Sequence, residues 1–101
     1  MDEPVFDELI HAPLRLRICS LLAPVDSMAF ATLRDALEIT DAHLSKQVRI
    51  LLDAGYAVST RTGSASREGG RRTVWLSLSP QGRHAFESHV RALRRMLPAE
   101  A

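Results

Sequence analysis

The chain has 101 residues, 46% hydrophobic and 25% charged, which suits one globular domain with a small core and excludes a disordered or fibrous class. One cysteine excludes an internal disulfide framework. No apolar run approaches the ~20 residues that span a bilayer, and Asp2 and Glu3 stand where a secretory leader would be positive, so a cytoplasmic protein without membrane contact is expected. The net charge of +1 hides an asymmetry: residues 1–42 hold three basic and eight acidic side chains, whereas residues 43–72 hold six basic and two acidic. Positive charge thus gathers mid-chain, as a surface for a polyanion requires.

Residues 5–11 read as a short amphipathic helix with Val5, Phe6, Leu9 and Ile10 on its stripe and Pro4 in its first turn. Pro13 opens a second helix, with Leu14, Ile18, Leu21 and Leu22 inward, that stops before Pro24. Met28-Ala29-Phe30 reads as a brief strand or an extended lead-in. A third helix over about Ala31–Leu37 turns Leu33, Ala36 and Leu37 inward, and Glu38-Ile39-Thr40 makes a tight turn. The two flanking helices of that turn form a helix-turn-helix.

The helix after the turn spans about 41–54. Thr40 and Asp41 supply N-capping oxygens, and Gly55 can take the left-handed conformation that ends a helix. Leu44, Val48, Leu51 and Leu52 form one stripe. At about 100° per residue, His43, Lys46, Arg49 and Ile50 fall opposite it, with Ser45 and Gln47 on its flanks. These residue types suit DNA: Lys and Arg match phosphates and guanine edges, Gln matches adenine, and Ser matches either; from its flank, Gln47 itself is expected to contact sugar or phosphate. Ile50 can meet a thymine methyl or pack on its neighbours.

After Gly55 the period becomes alternating. Residues 56–62 and 72–79 read as two strands, the second with Val74, Leu76 and Leu78 on one face and Trp75 on the other. The Gly- and Ser-rich link carries Arg67, Arg71 and Arg72, and about 61–72 reads as a basic hairpin tip. Arg61 is evenly balanced between a contact and a solvated charge. Ser79 can cap and Pro80 begin a last helix to about Leu97. Phe86, Val90, Leu93 and Leu97 form one seam along it, and Ala85, Ala92 and Met96 a second. So much apolar surface predicts a two-fold dimer through both ends of the chain, with Val5, Phe6, Leu9, Phe86, Val90, Leu93 and Leu97 at the interface.

The fold class expected is mainly α with a small β-hairpin, in the order of a winged helix-turn-helix. L-R-L-R-I-C-S-L-L, then F-A-T-L-R-D-A-L-E-I-T-D-A-H-L-S-K-Q-V-R-I-L-L-D-A-G-Y-A, then R-R-T-V-W-L-S-L-S-P-Q-G-R-H-A-F resemble the MarR/ArsR-type repressors of bacteria and archaea, and within them the short winged-helix regulators. The resemblance covers Val5 to Leu97. It implies one winged-helix domain over residues 1–101, acting as a homodimeric double-stranded DNA-binding transcriptional regulator, a repressor by that likeness. The 41–54 helix would enter the major groove, with the hairpin as a wing on the backbone or minor groove. The expected DNA contacts are His43, Ser45, Lys46, Gln47, Arg49, Arg67, Arg71 and Arg72.

Other readings carry less. Cys19 lacks the paired cysteines of metal-sensing ArsR relatives and reads as a small buried hydrophobe. His84, Glu87 and His89 do not match a C-terminal metal site, so neither metal nor cofactor is expected. No nucleophile has a neighbouring base and there is no P-loop or dinucleotide fingerprint, so no catalytic residue is expected. The chain is shorter than typical MarR proteins, whose extra helices help build an effector pocket. An unidentified small-molecule effector stays open on that ground, and Trp75 either packs under a helix or lines such a pocket. The alternative function is a winged helix that binds protein instead of DNA; Lys46, Arg49 and the wing arginines weigh against it.

Overall fold

Local capping sets most of the element boundaries in the computed structural model, which describes residues 3–62 and 73–98. Helix α1 is Glu8–His11, α2 is Pro13–Leu22, strand β1 is Met28–Ala29, α3 is Phe30–Leu37 and α4 is Asp41–Asp53. Strands β2 (Ala57–Thr62) and β3 (Thr73–Leu78) follow, then α5, Pro80–Met96. Proline sits in the first turn of α2 and of α5, where its missing N–H costs nothing. Ser79 caps α5 by accepting from the Gly82 N–H. Arg83 in turn donates to the Ala23 carbonyl at the C-terminal end of α2, satisfying a group the helix leaves free.

The sheet is three-stranded and antiparallel, in the order β1-β3-β2. Met28 pairs with Leu76, and the β2–β3 register runs from Ala57 opposite Leu78 to Thr62 opposite Thr73. Met28-Ala29 is therefore a strand. The core is Ile10, Ile18, Cys19, Leu22, Leu33, Leu37, Leu44, Val48, Leu51, Ala57, Leu76 and Leu78. Helices α2, α3 and α4 supply most of it, and the inner face of β3 closes it. Trp75, on the other face of β3, does not join this core; it donates its indole N–H to Thr62 Oγ1 across the hairpin at 2.8 Å. Burial makes Cys19 the small hydrophobe its sequence suggested, and raises its thiol pKa to about 11.

Two expectations, on the first helix and on Ala36, are corrected. The first helix does not cover 5–11 but only Glu8–His11, with Asp7 as its cap. Residues before Asp7 find better partners on α5: the Val5 N–H donates to Ser88 Oγ at 2.8 Å and the Asp7 N–H to His89 Nδ1 at 2.9 Å. Ala36 points outward, not into the core. On α5 the face turned to the body holds Gly82, Ser88, His89 and Ala92, all buried, while Met96 and Leu97 are exposed. Polar Ser88 and His89 can be buried because each accepts a backbone N–H from the N-terminal segment.

Candidate nucleic-acid interface

The turn between α3 and α4 fixes the helix that carries the candidate contacts. Glu38 takes a left-handed conformation (φ 56°, ψ 47°), and its N–H returns to the carbonyls at the end of α3. Half-buried Ile39 packs on the core, as the residue after such a helix end does. Thr40 is extended, and its Oγ1 accepts from the His43 N–H at 3.0 Å. Leu44, Val48 and Leu51 are buried, so α4 has one rotation about its axis that the core accepts. Gly55 closes the helix at φ 79°, a conformation glycine takes without the Cβ penalty.

That rotation leaves His43, Ser45, Lys46 and Arg49 exposed. Asp41, in the first turn, would repel a phosphate. Arg34 answers it with ion pairs of 2.8 Å to Asp41 and 2.9 Å to Asp35, and these partners raise the guanidinium pKa further. Between α4 and the hairpin lies a cleft of about 380 Å³. Its floor includes Phe30, Val48, Leu52, Val74 and Leu76, and its rim Asp41, Ser45, Arg49, Ser59 and Arg61. Arg61, evenly balanced on sequence, thus shares a cleft with Arg49 and Ser45. Ile50 is half-buried.

Gln47 is placed differently from its neighbours. It is half-buried, and its Oε1 accepts from Arg15 Nη1 at 2.8 Å. Arg15 also donates from Nε to the Leu9 carbonyl at 2.7 Å, tying α4 to α2 and α1. Neither Arg15 nor Arg34 was among the expected site residues. No periodicity links Arg15 to a residue 32 positions away. Arg34 and Asp41, seven apart across a turn, could have been found from their opposite charges. Arg67, Arg71 and Arg72 lie outside the described residues.

At the other end of the molecule, Phe6 packs its ring on those of His11 and His89, with centroids 4.7 Å away in each case. His89 is fully buried. Its Nδ1 accepts the Asp7 N–H, so its own proton sits on Nε2, 3.2 Å from His11 Nδ1. Burial, and secondarily His11, lower its pKa. Tyr56 donates to Asp7 Oδ2 at 2.6 Å, which raises the phenol to about 12. His89 is thus committed to holding the N-terminal segment, while His84 and Glu87 on α5 are both exposed. Of the apolar seam, Phe86 and Leu9 pack partly on the core, Val90 and Leu93 are half-buried, and Val5 and Leu97 are exposed by 62% and 66%. No helix among the described residues is long and apolar enough to cross a membrane.

A three-helix body, a helix-turn-helix with a donor-bearing second helix and a hairpin beside it define a winged-helix protein. The sequence family described as a winged helix DNA-binding domain matches residues 14–97, and the chain belongs to it. No protein of curated function matches the sequence significantly. Among solved structures, a transcriptional regulator homologue from Pyrococcus horikoshii OT3 superposes with a TM-score of 0.79 at 18% identity, over 89% of this chain and 85% of that one. A MarR-family transcriptional regulator from Enterococcus faecalis V583 gives 0.69 at 19%, over 87% and 74%. NadR in complex with 4-hydroxyphenylacetate gives 0.70 at 24%, over 88% of this chain and 60% of that one. The winged helix-turn-helix expected from the sequence is the fold observed, and it is shared with MarR-family regulators.

Proposed function

We propose that this protein is a dimeric, sequence-specific regulator of transcription that lays α4 in the major groove of duplex DNA and its hairpin along the backbone or minor groove. The observation that carries this reading is the outer face of α4. Ser45, Lys46 and Arg49 are exposed together, and the one carboxylate beside them in the first turn is neutralised by Arg34. An apolar or acidic face there would favour a protein-docking winged helix instead. Arg67, Arg71 and Arg72 extend the basic surface at the wing by their position in the sequence. Repression, by occupying the DNA covered, is carried over from the family resemblance. The complex of NadR with 4-hydroxyphenylacetate makes a small-molecule effector a fair question for this chain too, without naming one.

The second element of the proposal is the homodimer. Helix α5 is about 25 Å long; it carries half-buried Val90 and Leu93 and exposed Met96 and Leu97, while Val5 and Phe6 are exposed on the N-terminal segment that α5 holds. A two-fold partner on that surface would present two α4 helices to successive major grooves, about 34 Å apart, on a near-palindromic operator. Selection of bound sequences from a random duplex pool tests the whole reading. The expected product is a near-palindrome bound by the wild type. Replacing Lys46 and Arg49 with Ala should keep the fold and weaken binding, by roughly 1–3 kcal/mol for each base no longer read. Unchanged affinity in the double variant would remove α4 from the groove.

A further inference from the structure

Gln47 sits on the helix proposed to enter the groove, and a glutamine there would ordinarily be assigned to adenine, whose major-groove edge offers one acceptor and one donor. That assignment needs the side-chain amide to present both its oxygen and its nitrogen. Here Arg15 takes one of the oxygen's two lone pairs. Arg15 has only donors, five N–H groups and no acceptor. Its Nη1 lies 2.8 Å from Gln47 Oε1, and its Nε is anchored on the Leu9 carbonyl at 2.7 Å. The opposite amide orientation would set N–H groups against N–H groups, so Arg15 decides which way Gln47 points. Among the described residues nothing bonds to the Nε2 group with its two hydrogens. Beside it remain the guanidinium N–H groups of Arg15 that neither bond uses. The pair therefore offers an edge on which donors outnumber acceptors.

A donor-rich edge fits a phosphate oxygen, and its place on α4 agrees. At about 100° per residue, Gln47 is turned a quarter of the way round the helix from Lys46, toward α2. It is half-buried, while Lys46 and Arg49 are exposed. When the exposed face of α4 is turned to the floor of a groove, a flank on the α2 side meets the groove's wall, where the backbone runs. We propose that Arg15 and Gln47 together form a phosphate clamp, in which Arg15 orients the Gln47 amide as a donor to one backbone phosphate per half-site, and that Gln47 reads no base. Arg15 is the positioning residue and Gln47 the contact. This rests on the duplex-binding reading above and deepens the sugar or phosphate contact expected of Gln47, by naming the residue that orients it.

The test uses the full chain and the operator obtained by selection. Gln47→Glu keeps the oxygen that Arg15 needs and removes the two donors. A purely structural role would be rescued by this change; a phosphate contact would not. The expected result is a melting temperature at or above that of wild type, with affinity lower by about tenfold or more and by the same factor on every duplex. Gln47→Ala should leave the selected base preferences as they are. Replacing backbone phosphates one at a time with neutral methylphosphonate should reveal one position per half-site that weakens wild type several-fold and leaves Gln47→Ala unaffected. Arg15→Lys, which keeps the charge and loses the fork, should weaken binding of all duplexes while the preferences persist. Relaxed preference at an A·T pair in Gln47→Ala would overturn the proposal in favour of base reading. Full affinity in Gln47→Glu would reduce the pair to a structural tie. Wild type that binds no duplex would overturn the functional reading itself and this inference with it, an outcome distinct from either.

Discussion

Gly82→Ala is the substitution for which the structure gives the sharpest expectation. Gly82 is in the first turn of α5 and lies against the backbone of Tyr56. A Cβ there would stand 1.9 Å from the Tyr56 carbonyl oxygen, 2.7 Å from its carbon and 2.8 Å from its Cα. No rotamer relieves a clash with backbone. Restoring ordinary contact at 3.4 Å requires the start of α5 to retreat by about 1.5 Å. That retreat strains the Ser79 N–H bond to the Tyr56 carbonyl, 3.0 Å, and the Ser79 Oγ bond to the Gly55 carbonyl, 2.6 Å. Overpacking costs about 1–3 kcal/mol, and each hydrogen bond broken adds about 1 kcal/mol. Alanine's better helix propensity returns up to ~1 kcal/mol, less in a first turn. The net expectation is a loss of about 2–3 kcal/mol, or a fall in melting temperature on the order of 10–20 °C for a domain of this size. Thermal and urea unfolding at one fixed protein concentration measure it, since dimerisation would make the midpoint depend on concentration. Gly55→Ala is the control. Its Cβ would meet only the flexible Gln81 side chain, at 3.4 Å, so it carries the left-handed backbone penalty of roughly 1–2 kcal/mol and no clash. A Gly82→Ala protein as stable as wild type would refute the close approach of α5 to Tyr56.

Replacing Arg67, Arg71 and Arg72 together with Ala should flatten the slope of log affinity against log salt by roughly 0.9 for each phosphate no longer neutralised; an unchanged slope would assign the wing to base or shape reading. Leu93→Glu places a charge on the outward seam of α5 and should lower self-association and operator affinity together, as read by sedimentation at micromolar concentration. A wild-type monomer there that still binds a half-site tightly would return the seam to the monomer. His89 gives a pH dependence. Its folded-state pKa is lowered, so the unfolded chain binds its proton first, and stability falls as pH drops below the ordinary histidine value of about 6.5. Protonation would aim an N–H of Nδ1 at the Asp7 N–H. The melting temperature should therefore decline from about pH 7.5 to about 5.5, and His89→Gln should flatten that decline; identical profiles would clear His89 of the effect.

The elements of this protein were legible in its sequence because their causes are local. Thr40 and Ser79 cap the helices they precede, Pro13 and Pro80 open theirs, and Gly55 takes the positive φ its position required. The stripe Leu44, Val48 and Leu51 is buried as its spacing demands, which fixed which face of α4 would be free to meet DNA. What tertiary structure decided are the matters settled by hydrogen bonds between residues far apart in the chain. Residues 5–7 leave the helix their periodicity suggested because Ser88 and His89, over eighty residues away, accept their N–H groups. Polar Ser88 and His89 go inside while Met96 and Leu97 stay out, since burial follows satisfied polar groups as well as apolar area. The spacing set Gln47 on a flank of the stripe, but only Arg15, 32 positions away, decides which way its amide points. Periodicity records which face of a helix is apolar; it holds no trace of which distant donor a polar side chain will meet, and that pairing fixes what the side chain can recognise.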